Sequence, residues 1–339
     1  MTRGLNVENL KCFVDLHLHL DGSLSLDNVK ALAKAQGICL GMSDDEIVSK
    51  LSVDEGCRDL NEYLEKFEFP LKLLQTPMGI QMAVKNLRIE LESLGVMYGE
   101  IRFAPQLHKR AGMSMKQVLE SAVKGLEGEG APCNLIICCM RGDSTQKDNL
   151  ESVELAKRYL GRGVCAVDLA GAEGLFPNEL FKKEIDKASE LGIPITLHAG
   201  EADGYESVGS AISMGAVRIG HGVRSAECEE LLERIAGEGI FLEVCPTSNL
   251  NTKVFAAFSE LPIRRFIKKG IRFGINTDNM SVSGTNVQKE WIRIINAFGL
   301  EGEEMQKILT DSVDASFANN EQKHEMKRRI EKEFKNISK

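Results

Sequence analysis

A chain of 339 residues exceeds the usual single domain of about 100–150 residues, yet it suits one α/β barrel with additions. With 43% hydrophobic and 27% charged residues and no low-complexity tract, the composition excludes disorder and supplies a large core. A formal charge of −8 excludes a phosphate-rich partner such as nucleic acid, whose affinity rests on clustered Lys and Arg, so a small-molecule substrate is expected.

In chain order, the first twenty residues hold no uninterrupted apolar segment of the signal-peptide kind, and no run approaches the roughly 18 apolar residues of a membrane span. The nine cysteines run from Cys12 to Cys245 without a CxxC pair, which fits reduced thiols and a cytoplasmic location without membrane contact. Short β-type runs follow at 13–20 (FVDLHLHL), 99–105 (GEIRFAP), 134–140 (NLIICCM), 164–171 (VCAVDLAG), 194–200 (PITLHAG), 217–222 (VRIGHG), 240–246 (IFLEVCP) and 271–278 (IRFGINTD). Helical patterns ending near Gly separate most of them, so repeated strand-helix units and a parallel sheet are predicted.

The first connection, residues 21–97, is too long for one crossover helix and is expected to be a helical insertion. Within it, Ser43 and Glu46 form a capping-box pattern, and EKFEFP offers Phe67 and Phe69. Beyond Asp278 the chain continues into extra C-terminal helices, the last carrying a stripe of Met326, Ile330 and Phe334. With no Pro/Gly/Ser linker, the whole of 1–339 is expected to be one domain with an insertion.

Side chains alternate along a strand, so Asp15, His17, His19 and Asp21 share one face of the first run while leucines share the other. HxH alone equally fits an ordinary strand whose polar face meets water. His198 and Glu201 in HAGE, His221 in IGHG and Asp278 in INTD also stand at C-terminal strand ends, the ligand-binding edge of parallel α/β folds. In an open sheet with strands in sequence order, the first and eighth would lie seven spacings, roughly 34 Å, apart. A closed barrel brings them together. A doubly wound open sheet remains the alternative if these residues do not converge.

Imidazole nitrogens with one carboxylate suit zinc, which in catalytic sites keeps a position for water. His17, His19, His198 and Asp278 are therefore the expected ligands of one zinc ion. The pKa of zinc-bound water falls to about 7. Asp278 could accept the water proton, His221 could hold the nucleophile in line, and Glu201 could donate a proton to the substrate.

LHLHLDG, LAGAE, LHAGE, IGHG, CPTSN and NTD, in this order over some 260 residues, resemble the adenosine deaminase family of amidohydrolases, in its bacterial form with a TDN motif. The resemblance implies a (β/α)8 TIM barrel holding one zinc and hydrolytic deamination of adenosine and 2'-deoxyadenosine to inosine or deoxyinosine and ammonia. It implies the same ligands, with Glu201 protonating the purine ring nitrogen beside the reacting carbon and His221 orienting the hydroxide. His19, Asp21, Gly171 and Asn279 become the substrate-binding residues. Asp21 would meet the ribose 5'-hydroxyl, and its charge would repel a 5'-phosphate. Many members read TDDP, whereas Asn279 here offers amide donors at every pH. Phe67 and Phe69 resemble the hydrophobic flap over the substrate, and core packing is an equal expectation for each. Arg102, Ser248 and Asn249 are expected to brace strand ends.

The alternatives are a deaminase of another 6-aminopurine, such as adenine, AMP or N6-methyl-AMP, and an inactive barrel that serves as a binding protein. A binuclear amidohydrolase would need a lysine in VDLAGAE, and the other zinc deaminase type needs PCxxC where this chain has PCNLI.

Overall fold

The computed structural model describes residues 7–54 and 56–337. Among these residues the chain forms eight strands: β1 (Phe13–His19), β2 (Val96–Phe103), β3 (Cys133–Met140), β4 (Val164–Ala170), β5 (Thr196–Ala199), β6 (Arg218–His221), β7 (Phe241–Val244) and β8 (Arg272–Ile275). All pair in parallel with their sequence neighbours, in the runs β1 to β4 and β5 to β8. Two bridges close the ring: Val167 with Ile195 between β4 and β5, and Leu18 with Asp278 beyond the end of β8. The second is a reciprocal pair, His19 N–H to Asp278 O and Asp278 N–H to His17 O, both 2.7 Å. The expected (β/α)8 barrel is the fold.

Helices α1 (Leu26–Ala35), α2 (Asp44–Leu51), α3 (Leu60–Leu64), α4 (Glu68–Leu73) and α5 (Pro77–Ser93) fill the first connection. Ser43 caps α2 as predicted, accepting from the Glu46 N–H while the Glu46 carboxylate accepts from the Ser43 N–H. Thr76 and Pro77 start α5, the crossover helix proper. Strand β2 begins at Val96, so the last two residues of the 21–97 range belong to the barrel.

Around the barrel follow α6 (Met115–Gly125), α7 (Gln146–Tyr159), α8 (Lys182–Glu190), α9 (Tyr205–Ser213), α10 (Glu229–Glu238), α11 (Pro246–Asn251) and α12 (Ile263–Lys269). The C-terminal helices are α13 (Val287–Phe298), α14 (Gly302–Ala315) and α15 (Asn320–Ile337). In α15 the stripe of Met326, Ile330 and Phe334 is buried, as its spacing predicts.

The barrel interior is charged. Arg218 pairs with Glu100 and with Glu243, each at 2.7 Å, and Arg102 pairs with Glu243 at 2.8 Å and Asp168 at 2.9 Å. Every one of these side chains is buried, so each charge is held only by its partners. The chain of ions runs up to the strand ends where the histidines stand.

Candidate active site

His17 and His19 come from β1, His198 from β5 and His221 from β6, while Glu201 lies in the turn after β5 and Asp278 and Asn279 follow β8. The Nε2 atoms of His19 and His198 are 3.2 Å apart, and Asp278 Oδ1 lies 3.4 Å from Nε2 of both His17 and His19. Bonds of about 2.0–2.1 Å in a tetrahedral zinc site place ligand atoms about 3.3 Å from one another, so this spacing fits the ion. His17 Nε2 is buried with no hydrogen-bond partner among the described residues, a lone pair left for a cation.

The far side of two rings fixes their orientation. His17 Nδ1 lies 2.8 Å from Glu243 Oε2 and His198 Nδ1 2.9 Å from Asp168 Oδ2. A carboxylate can only accept, so both rings carry hydrogen on Nδ1 and offer Nε2 to a metal. A second group, His17, His221, Cys245 and Asp278, also brings its donor atoms within 4.8 Å of one another. Burial and the charge of Asp278 push the Cys245 thiol well above its usual range, and its Sγ lies 3.3 Å from the Glu243 carbonyl oxygen. A thiol ligates as thiolate, which makes this the poorer set.

His221 and Asp278 both adopt positive φ, 61° and 59°, in the left-handed region that side chains disfavour. Burial would raise the Asp278 carboxyl, but the imidazoles around it, His17 first and then His221 and His19, hold it well below the carboxylate range. Glu201 goes the other way. Its buried carboxyl, 3.6 Å from His221 Nε2, is pushed well up by burial and then by the charges of Asp278 and Glu173. The two neighbouring carboxyls are thus pushed in opposite directions.

Glu173, quoted within LAGAE but given no role there, anchors the Glu201 turn. Its carboxylate accepts from the N–H groups of Gly200 (2.7 Å), Glu201 (2.9 Å), Ala202 (2.7 Å) and Asp203 (3.2 Å), and from Ser207 Oγ (2.5 Å). Glu173→Gln would turn an amide NH2 onto those donors and displace Glu201. We expect kcat to fall on the order of 10²-fold with metal content unchanged, read by steady-state kinetics beside elemental analysis.

A cavity of about 210 Å³ opens beside these groups. Asp21, Gly171, Asn279, His19 and Glu201 all line it. Asp21 does so from a 3-10 turn, Asp21–Ser23, because β1 ends at His19 and the strand alternation does not extend to it. Burial pushes its carboxyl up to about 6. Gly171 has φ +110°, a conformation that favours glycine at this strand end.

Tyr63, Leu64 and Phe67 of the first connection cover the cavity, the Phe67 ring standing edge-on to His19 at 6.4 Å. Phe69 does not line it; that side chain packs on the main core and borders a separate surface pocket. This covering segment is stitched to the chain beyond Asn279 by Tyr63 Oη to Ser283 Oγ (2.7 Å), Val53 N–H to Val282 O (2.9 Å) and Ser52 Oγ to Ser281 O (2.7 Å).

Arg102 lies inside the barrel, below the histidines, where strand-end bracing was expected. Asn249 lies within hydrogen-bond distance of His221, Nδ2 to Nδ1 at 3.2 Å. All nine cysteines are free, and no described helix is long and apolar enough to cross a membrane.

Comparison with known proteins gives consistent results. The family model described as adenosine deaminase matches residues 13–333. The adenosine deaminase of Haemophilus ducreyi is 43% identical over 330 residues, covering 95% of this chain and 96% of that protein. That of Clostridium perfringens is 38% identical over 320 residues, covering 93% of this chain and 96% of its own length. Among solved structures, an adenine deaminase from Arthrobacter aurescens superposes with a TM-score of 0.87 at 23% identity, over 96% of this chain and 99% of that one, a likeness of fold.

Proposed function

The chain belongs to the adenosine deaminase family, and from that footing we propose how its residues carry out the hydrolysis of adenosine to inosine and ammonia. The observation that carries the reading is the convergence of His17, His19, His198 and Asp278 on one ion-sized space beside the buried Glu201, whose carboxyl burial pushes well above its usual range. Those four residues would hold zinc, which when bound supplies the Lewis acidity that makes water nucleophilic near neutral pH.

The side chains divide the remaining work. Glu201 holds a proton for the purine ring nitrogen next to the reacting carbon, which makes that carbon electrophilic. His221 and Asp278 orient the attacking water from the opposite side. Gly171, having no Cβ, lets the purine approach the backbone, and Asn279 offers its amide to the five-membered ring. The helices α1 to α4 form a lid whose Tyr63, Leu64 and Phe67 exclude bulk water. His19 serves twice, as a ligand and as a wall of the purine pocket.

The nucleoside itself, adenosine or 2'-deoxyadenosine, is the proposed substrate, because Asp21 presents a carboxylate where a 5'-phosphate would stand. Asp21→Asn is expected to lower kcat/KM for adenosine about tenfold, the worth of roughly one hydrogen bond to a charged group, and to narrow the preference over AMP. Initial rates on adenosine, 2'-deoxyadenosine, AMP, adenine and N6-methyl-AMP, followed by loss of 6-aminopurine absorbance, test both statements. Faster turnover of AMP by the native chain would overturn the role of Asp21, and no turnover of any of them by zinc-loaded protein would leave a binding protein. The unpaired cysteines support placing the enzyme in a reducing compartment, the cytoplasm.

A further inference from the structure

Asn249, in the CPTSN segment, has no part in the chemistry above. It is fully buried in α11, where its backbone N–H bonds to Cys245 O (3.0 Å) and its carbonyl accepts from Val254 N–H (2.9 Å), which fixes the backbone that carries the amide, while Oδ1 has no partner among the described residues. The amide Nδ2 stands 3.2 Å from His221 Nδ1. An amide nitrogen has only hydrogens to offer, so His221 Nδ1 must present its lone pair. A neutral ring then carries its hydrogen on Nε2, and the doubly protonated ring is disfavoured because N–H would face N–H. Nε2 is the atom on the Glu201 side of the ring, 3.6 Å from Glu201 Oε1 and otherwise without a partner among the described residues.

This is the reverse of His17 and His198, whose Nδ1 atoms rest on the carboxylates of Glu243 and Asp168. Carboxylate-backed rings offer a lone pair at Nε2, whereas the amide-backed ring offers a hydrogen. We propose that Asn249 is a positioning residue that holds His221 as the Nε2–H tautomer, so that His221 donates a hydrogen bond to the attacking oxygen and neither ligates the metal nor removes the water's proton. Asp278 is then the acceptor for that proton. The assignment of a role in turnover rests on the deaminase reading; the tautomer itself does not.

The test is the nitrogen spectrum of protein labelled with 15N-histidine, recorded metal-free and zinc-loaded, for the native chain, Asn249→Ala and Asn249→Asp. In the native chain His221 is expected to show a bare Nδ1 and a protonated Nε2. In Asn249→Asp the carboxylate accepts from Nδ1, the tautomer reverses, and kcat for adenosine falls on the order of 10²-fold while the inhibition constant of inosine is unchanged. Asn249→Ala gives a mixture of tautomers and an intermediate kcat, with the His17 and His198 signals unmoved as the control for folding. A protonated Nδ1 in the native spectrum overturns the proposal, even if neither variant folds. So does a reversed tautomer in Asn249→Asp with native kcat. A native Nε2–H signal in a protein that forms no inosine would sink the deaminase reading and leave the tautomer assignment standing.

Discussion

Glu201→Gln is expected to retain zinc and lose turnover by about 10²–10⁴-fold, the usual worth of a general acid placed at the reacting group. The substitution keeps the shape of the side chain and the Glu201 N–H that Glu173 holds, so the turn after β5 stays in place. What it removes is a transferable proton. The cause of that proton's retention is local: burial first, then the negative charges of Asp278 and Glu173, raise the Glu201 carboxyl well above its ordinary value. An acid must be protonated to act, so kcat/KM of the native enzyme falls as pH rises through this raised pKa. In the variant that limb of the profile disappears along with most of the rate. Elemental analysis, steady-state kinetics and a pH profile check the three statements, and a variant with native kcat and its alkaline limb intact would remove Glu201 from the reaction.

The strands and the convergence of His17, His19, His198 and Asp278 at their ends were legible in the sequence for one physical reason. Parallel barrels place chemistry at C-terminal strand ends, and HxH, HAGE, HG and NTD each follow or finish a run of β-forming residues. The supporting groups were hidden because they look like interruptions. Asp168 in VCAVDLA, Glu243 in FLEV and Arg102 beside Glu100 in GEIRF are charges inside otherwise apolar strands, spread over some 140 positions, and nothing local says which pairs with which. The usable signal was the cost of burying a lone charge: three such residues of mixed sign in strands of one barrel have to find each other. Glu173 was harder, since its partners are backbone N–H groups that any sequence supplies. Phe67 and Phe69 sit two positions apart, and short helical turns rather than a strand carry them, so only Phe67 faces the cavity.

Arg102→Met should show that the charged interior belongs to the site as much as to the fold. Methionine fills a similar volume without the guanidinium, which in the native chain pairs at 2.9 Å with Asp168 and at 2.8 Å with Glu243. Both carboxylates are buried and, against the effect of burial, are held low, Asp168 by His198 and Arg102, and Glu243 by Arg102, Arg218 and His17. Taking away Arg102 leaves two buried negative charges short of a partner, a loss of about 3–5 kcal/mol in unfolding free energy at neutral pH. The sign of its pH dependence follows. The penalty exists only while the carboxylates are ionised, so the gap between variant and native chain narrows as pH falls and the freed groups, their pKa values no longer depressed by the guanidinium, take up protons. The same carboxylates hold the Nδ1 atoms of His198 and His17, so zinc affinity should drop about 10–100-fold, read by competition with a chelator. Denaturant unfolding of the metal-free protein separates the two effects. A variant that is destabilised yet binds zinc as tightly as the native chain would show that Arg102 supports only the barrel, whereas weakened binding at intact Asp168 and Glu243 ties the orientation of both histidines to one side chain that touches neither.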